Sequence, residues 1–226
     1  MTILLVVDTC ALLDLIRAPV RDEFHPSYAT GARKLLAALQ TQQPPAQIAC
    51  TDVVRDEFQR HVALVTEETK RLLTQARDKY RQALNVISGL SAGSIPQSVD
   101  DAWVDAGVQH ARQLADSFAS LATIEPIDDD DKHRALQRVM TATPPSRRGK
   151  DSTADCLITE SALRLARAAP TNGITNTVFF SSNTQEYCEG RALKPALQTE
   201  FSACGLQYVR TWGEACRAIL GASAWT

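Results

Sequence analysis

Hydrophobic residues form short unbroken runs along the chain, and these runs alternate with longer stretches of helical periodicity. Residues 3–7 are an unbroken apolar run rich in β-branched side chains, which is typical of a strand buried on both faces of a parallel sheet. Further short runs at 47–50, 177–181 and 206–210 predict three more strands. Because helical patterns separate the runs, we predict an α/β fold with three layers (α/β/α). Its central parallel sheet would have four to five strands joined by right-handed crossovers.

Helical periodicity dominates the segments between the predicted strands. Apolar residues recurring every three or four positions predict helices at 29–40, from residue 51 past residue 87, at 99–121, at 132–140, after residue 151 and at 212–220. A polar segment with two prolines at 17–28 predicts a loop, and the segment at 89–96 predicts a break. We interpret residues 64–140 as a long helical insertion in a single domain that spans residues 1–226.

Composition and charge narrow the class of protein. The chain has 44% hydrophobic and 22% charged residues with a net charge of −2, which is ordinary for a soluble globular protein. Its six cysteines include no C-x-x-C pair, which argues against a zinc knuckle and suits a reducing cytosol. No segment resembles a signal peptide or reaches the roughly 20 apolar residues of a membrane span. We therefore expect a cytoplasmic protein without a membrane partner, in which nucleic-acid binding would need a local basic patch.

Acidic residues recur where the predicted strands end. Asp8 directly follows the first strand, and Glu57 lies near the second turn of the helix after the second strand. Asp151 and Asp155 lie one helical turn apart before the third predicted strand, and Glu186 follows that strand. Because the carboxyl ends of parallel strands share one edge of the sheet, these carboxylates are expected to converge. Such a cluster repels itself unless a hard cation neutralises it, and oxygen ligands favour Mg²⁺ or Mn²⁺ over zinc.

Several of these residues also have purely structural interpretations. Asp8 could cap the following helix, Glu57 could be a solvated helix residue, and Asp151 could be only an acid at a helix N-terminus. Ser182 and Asn183, after the third predicted strand, could contact substrate or could form a simple turn. The order and spacing of the acids together favour the metal site.

Basic residues lie close to the acids in the sequence. Arg147, Arg148 and Lys150 lead directly into Asp151, so they are candidates for binding substrate phosphates, although such a run is more often a solvated loop. The basic stretch at 70–81 on the long helix is a second candidate surface. Either would supply the local positive charge that the whole chain lacks.

Four segments of the chain resemble the PIN-domain nuclease family. They read ILLVVDTCALLDLI, CTDVVRDEFQRH, DSTADCLITESALRLA and VFFSSNTQEY. The resemblance implies that Asp8, Glu57 and Asp155 are ligands of Mg²⁺ or Mn²⁺. The family's fourth acid usually follows the Ser/Thr-Asn pair directly, whereas Thr184 stands there in this chain.

The departure at Thr184 leaves the fourth ligand open. Asp151, Asn183 or Glu186 could supply it, and so could water.

The resemblance implies a metal-dependent endonuclease in which metal-activated water hydrolyses a phosphodiester. Such enzymes most often act as endoribonucleases on single-stranded RNA and leave a 5′-phosphate and a 3′-hydroxyl. Two alternatives stay open: a DNA-directed nuclease, and a PIN-like module that has lost its chemistry and acts through protein–protein contacts. A protein partner or inhibitor on the helical insertion and a homo-oligomer are further expectations.

Overall fold

A five-stranded parallel sheet lies at the centre of the computed structural model, which describes residues 2–21, 26–90 and 102–222. The strand order is β3-β2-β1-β4-β7, and β5 pairs with β6 in a separate antiparallel hairpin. The strands are β1 (Thr2–Val7), β2 (Ala46–Thr51), β3 (Thr123–Glu125), β4 (Ile174–Phe180), β5 (Cys188–Glu189), β6 (Ala192–Leu193) and β7 (Leu206–Val209).

Helices flank this sheet and give the three-layer α/β/α arrangement that the alternating pattern predicts. None of the helices in the described ranges combines the length and the hydropathy that a membrane span requires. The helices are α1 (Thr9–Arg17), α2 (Pro26–Leu39), α3 (Asp52–Leu90), α4 (Ala102–Leu121), α5 (Asp129–Thr141), α6 (Thr153–Ala168), α7 (Thr184–Tyr187), α8 (Pro195–Ala203) and α9 (Trp212–Leu220).

The central strand β1 is the apolar run at the start of the chain. It pairs with β2 on one side and β4 on the other, and Leu5 and Val6 are fully buried. Trp212 covers the end of this strand, where its ring contacts Phe118 and Phe180 and its indole N–H donates to the Ala11 carbonyl (3.0 Å). A strand buried on both faces cannot alternate polar and apolar residues, which explains the unbroken run.

The segment predicted as a helical insertion, residues 64–140, also contains an edge strand of the sheet. In β3, Ile124 is the register partner of Cys50 in β2, so this segment contributes to the core sheet as well as to helices. The strand has three residues, which is too short for any period to be read from the sequence. The first two residues of the predicted break at 89–96 are helical, since α3 extends to Leu90. The rest of that segment lies outside the described residues.

The predicted loop at 17–28 differs from the structure at both ends. Its first part forms a 3-10 turn at Ala18–Val20, and α2 begins at Pro26. Residues 22–25 lie outside the described residues. Proline is compatible with the first turn of a helix, so the prolines that indicated a loop begin helical turns instead.

Buried charges attach α5 to the core. The Arg138 guanidinium of α5 pairs with Glu160 of α6 and Glu200 of α8, and only 7% of the Arg138 side chain is exposed. Two turns nearer the start of α5, Asp131 accepts hydrogen bonds from Ser161 (2.8 Å) and Arg164 (2.9 Å) of α6. These contacts hold the helix that precedes the 142–152 loop and so position that loop beside the sheet edge.

Candidate active site

Asp8 lies at the carboxyl end of the central strand. Its side chain is 3% exposed and does not cap α1, which removes the capping interpretation. Instead, its Oδ2 accepts hydrogen bonds from the Ser181 hydroxyl (2.6 Å) and the Cys10 thiol (3.1 Å). Burial raises the pKa of Asp8 and the Glu57 carboxylate raises it further, although the two hydrogen bonds oppose this rise.

Glu57 lies on α3, half-buried, and faces the residue that follows Asp8. Its Oε2 accepts a hydrogen bond from the Thr9 hydroxyl (2.7 Å). The neighbouring Asp56 is exposed and pairs with Arg55 (2.8 Å), so it is the solvated acid of this turn. The structure therefore brings Glu57, and not Asp56, to the edge of the sheet where Asp8 lies.

Asp155 lies in the first turn of α6, and its Oδ1 accepts a hydrogen bond from the Asn183 side-chain amide (3.1 Å). Burial, followed by repulsion from Asp8, raises the pKa of Asp155 from its ordinary 3.8 to about 7. The hydrogen bond from Asn183 and the positive charge of Lys150 oppose this rise.

Asp151 is exposed and serves the start of α6. Its Oδ1 accepts a hydrogen bond from the backbone N–H of Thr153 (3.0 Å), and this bonding lowers the pKa of Asp151. Across the residues that the structure describes, Asp151 makes no hydrogen bond to Asp8 or Asp155. Asp151 therefore fits the structural interpretation, in which it is only an acid at a helix N-terminus. We therefore leave Asp151 out of the ligand set proposed below.

Glu186, which the sequence predicts as a metal ligand, contacts two of the predicted phosphate-binding residues. Its side chain is fully buried on α7, and its Oε1 contacts the Lys150 ammonium and the Arg147 guanidinium (3.3 Å). Its Oε2 has no hydrogen-bond partner among the described residues. Arg148 is exposed on the same loop. Lys150 and Glu186 are 36 residues apart in the chain, so local spacing in the sequence cannot reveal that they pair.

Ser181 links the two central carboxylates. Besides donating to Asp8, its hydroxyl oxygen accepts the backbone N–H of Asn183 (3.2 Å), and Asn183 in turn donates to Asp155. Sequence reasoning selected Ser182 and Asn183 and missed Ser181. The signal that was available is the position of Ser181 directly after the last buried residue of β4.

A cleft of about 960 Å³ opens beside the carboxylates. Cys10, Ser182 and Asn183 line it next to the acids. Its walls also carry four arginines that the sequence analysis did not single out: Arg17, Arg21, Arg191 and Arg210. The surface next to the acidic cluster is therefore basic.

The carboxylates meet the requirements of a magnesium-type ion in donor chemistry. Across the described residues, no group of three or more Asp, Glu, His or Cys side chains is arranged as a complete metal-binding site. Mg²⁺, however, commonly takes one or two protein carboxylates and fills its remaining positions with water and substrate phosphates. Asp8 and Asp155 satisfy this smaller requirement, because they are oxygen donors that the hydrogen bonds of Ser181 and Asn183 connect.

The fold and the site together define an α/β protein with carboxylates gathered at the carboxyl edge of a parallel sheet. A family model described as the PIN domain matches residues 5–187, so the chain belongs to the PIN-domain family, whose members are generally nucleases. The matched region includes Asp8, Glu57, Asp155 and Glu186. Searches of curated proteins and of solved structures returned no significant match.

Proposed function

We propose that this protein is an endonuclease that depends on a divalent cation, Mg²⁺ or Mn²⁺, and cleaves single-stranded RNA. The observation that carries the proposal is the chain of hydrogen bonds through Ser181 and Asn183, which brings Asp8 and Asp155 together at the carboxyl end of the central strands. Membership of the PIN-domain family makes a nuclease the class of enzyme that agrees with such a site. The preference for RNA rests on the family resemblance alone.

Asp8 and Asp155 are the proposed cation ligands, with Glu57 beside them. When bound, the cation supplies a water of lowered pKa and offsets negative charge on the phosphate. The protein's part is to hold the carboxylates still. The Thr9 hydroxyl orients Glu57, and the hydrogen bonds through Ser181 orient the other two acids.

Lys150 and Arg147 provide positive charge next to the carboxylates. Both pair with the buried Glu186, yet 41% of the Lys150 side chain and 50% of the Arg147 side chain remain exposed. Lys150 is close enough to Asp155 to lower the pKa of that acid. We infer that the exposed sides of these two cations, together with Arg148, contact substrate phosphates near the cleaved bond.

Cleavage assays with paired variants test this proposal. End-labelled single-stranded RNA and DNA of one sequence are incubated with the purified protein in Mg²⁺, Mn²⁺ or EDTA. We expect cleavage of the RNA with either metal and none in EDTA. Asp8→Asn and Asp155→Asn should abolish cleavage, whereas Asp151→Asn should retain it.

A second pair uses adjacent acids on α3. Glu57→Gln should reduce cleavage strongly, while Asp56→Asn should cleave like the wild type, because Asp56 is exposed and pairs with Arg55. Cleavage that survives in EDTA or in Asp8→Asn would contradict the proposal. Failure to cut either nucleic acid, in a protein whose melting temperature still rises with metal, would instead favour the non-catalytic module.

A further inference from the structure

The cleft beside the carboxylates is lined by four arginines, and we call it the arginine cleft. The four are Arg17, Arg21, Arg191 and Arg210. We propose that the arginine cleft is the groove that binds the sugar-phosphate backbone of a single-stranded nucleic acid. This inference rests on the proposed nuclease function, because it assigns the substrate path to that same site. It adds to the phosphate contacts proposed at 147–150 and differs from the sequence-based expectation of a second basic surface at 70–81.

One wall of the cleft is built on a buried carboxylate. Asp14 of α1 is 4% exposed and pairs with both Arg17 (3.7 Å) and Arg21. The side chains of these arginines are 36% and 47% exposed, respectively. A guanidinium has five N–H donors, and one carboxylate shared between two guanidiniums uses only part of that capacity. Asp14 therefore holds both cations at the wall while leaving them donors for a phosphate.

The other wall of the cleft includes the β5–β6 hairpin, which hydrogen bonds attach to α9. Arg210 donates to the carbonyl of Arg191 (3.2 Å) and to the Glu214 carboxylate (3.2 Å), which connects the β5–β6 hairpin to the first turn of α9. The tip of the hairpin turns at Gly190, whose φ of +62° is favourable for glycine. Only the backbone of Arg191 takes part in this connection. Its side chain is exposed at the rim of the cleft.

The cleft is continuous with the carboxylates. Cys10 and Asn183, which line it, hydrogen-bond directly to Asp8 and Asp155. Among the described lining residues, four arginines face two carboxylates, so the local charge is positive although the whole chain carries −2. A polyanion is repelled by the acidic cluster itself, and the arginines supply the attraction that brings it there.

The depth of Asp8 favours a single strand over a duplex. This carboxylate is 3% exposed, so a phosphate reaches it only if the backbone can bend into the cleft. Unpaired strands can be splayed and bent in this way, whereas a duplex presents its phosphates on a stiff, convex surface. Thr184 and Gln185 are exposed along the same cleft and provide hydrogen-bonding groups for bases.

The basic residues expected at 70–81 pair with acids of the helical region. Lys70 pairs with Asp105 (2.8 Å) and Arg77 with Asp78 (2.8 Å) along α3. Lys70 and Arg77 follow Glu57 on the same helix by about 20 and 30 Å along its axis, at about 1.5 Å per residue. The arginine cleft therefore adds a second basic surface, besides Arg147 and Lys150, next to the proposed cleavage site.

Binding measured in EDTA tests the cleft without any contribution from cleavage or metal. The probes are a fluorescein-labelled single-stranded RNA, DNA of the same sequence and the corresponding blunt duplex, followed by anisotropy over a range of salt concentrations. Arg17→Ala and Arg191→Ala are the test variants, since neither removes the main partner of a buried acid. We expect each to weaken single-strand binding roughly twofold to fivefold. Each should also flatten the slope of log affinity against log salt by about 0.7.

Arg167→Ala is the matched control. Arg167 is exposed in the last turn of α6, about 18 Å along the helix axis from Asp155 at about 1.5 Å per residue. Its removal takes away the same charge at a distance from the cleft, so affinity and salt slope should match the wild type. Arg191→Lys should restore the salt slope, because lysine keeps the charge, while losing part of the affinity through its simpler geometry.

Four outcomes would overturn the inference or one part of it. Wild-type affinity and salt slope in both Arg17→Ala and Arg191→Ala would show that the strand binds elsewhere. Duplex binding as tight as single-strand binding would overturn the assignment to single strands. A wild-type protein that binds none of the probes would overturn the cleft as a nucleic-acid groove. If Arg167→Ala weakened single-strand binding as much as the cleft variants do, the effect would come from the net charge of the protein and not from the cleft.

The proposed function fails separately from this inference. A protein that binds single strands through the cleft but never cleaves them with metal keeps the groove and loses the nuclease. A protein that cleaves with metal while both cleft variants bind normally keeps the nuclease and loses the groove.

Discussion

At the scale of single residues, individual hydrogen bonds hold the two central carboxylates in place. Ser181 donates to Asp8 and accepts from the backbone of Asn183, which holds Asp155, so one hydroxyl connects both acids. Tyr208 fixes the Ser181 backbone by donating to its carbonyl (2.9 Å). These contacts stabilise the ionised acids against the burial and repulsion that favour their protonated forms.

The raised pKa of Asp155 predicts a pH dependence of stability. A carboxyl group whose folded pKa lies above its unfolded value stabilises the fold at low pH, and this contribution is lost as the pH rises from 3.8 through about 7. In EDTA, the melting temperature of the wild type should therefore fall relative to that of Asp155→Asn across this range. Parallel melting curves of the two proteins against pH would contradict the raised pKa.

Metal binding should show the opposite pH dependence. A cation binds the ionised carboxylate, so the rise in melting temperature on adding Mg²⁺ should grow as the pH increases through about 7. Differential scanning fluorimetry at matched ionic strength measures this shift. A metal-induced shift that is the same at pH 5 and pH 8 would argue against Asp155 as a ligand.

Glu186 offers a test that separates a counterion from a ligand. Glu186→Gln removes the charge that pairs with Lys150 and Arg147, but these cations are partly exposed and can be solvated. We expect this variant to keep the Mg²⁺-induced rise in melting temperature, whereas Asp155→Asn should lose it. Loss of the rise in Glu186→Gln would identify Glu186 as a ligand, as the sequence pattern first indicated.

At the scale of elements, buried ion pairs attach α5 to two helices that pack against the sheet. Arg138 connects α5 to α6 and α8 through Glu160 and Glu200, and it also donates to the Pro144 carbonyl in the following loop. The loop that carries Lys150 thus begins from a helix that Arg138 helps to hold in place. Burial of such charges is costly unless every partner is present.

Removing Arg138 should therefore be strongly destabilising. Arg138→Ala leaves the buried Glu160 without a cation, and we expect a loss of about 3–5 kcal/mol in the free energy of unfolding. Urea denaturation measures it. Arg134→Ala, at an exposed position on the same helix, should stay within about 0.5 kcal/mol of the wild type. A similar, small effect of both variants would mean that the ion pair contributes little to the attachment of α5.

At the scale of the whole molecule, charge is distributed unevenly although the net charge is only −2. Carboxylates gather at the carboxyl edge of the sheet, and arginines line the cleft that leads to them. The acidic part favours cations, and the basic part favours polyanions. The two surfaces are adjacent, so a cation and a phosphate can meet between them.

This arrangement predicts a global effect of the metal on stability. A ligand that binds only the folded state stabilises it by about 2.7 kcal/mol at a concentration 100-fold above its dissociation constant. Millimolar Mg²⁺ or Mn²⁺ should raise the melting temperature of the wild type. Asp8→Asn should raise the melting temperature of the metal-free protein by removing repulsion, and it should abolish the metal effect. An unmoved wild-type melting curve would contradict the cation site.

The sequence by itself determined the elements whose signals are local. The unbroken run of β1 reflects burial on both faces, and the long periodic stretch predicted α3 because one helical face packs on the core. The positions of Asp8, Glu57 and Asp155 relative to these elements followed from chain order, because parallel strands bring their carboxyl ends to one edge. The family resemblance and the α/β/α class, both confirmed, follow from the same regularities.

Only the tertiary structure decided which side chains meet across long separations in the chain. The three residues of β3 carry no periodic signal, and their strand forms only by pairing with β2. Glu186 and Lys150 pair because α7 packs beneath the loop before α6, and the arginine cleft unites α1 with a hairpin near the end of the chain. Such pairings depend on packing between distant elements, whereas periodicity in the sequence reports only which face of each element is buried.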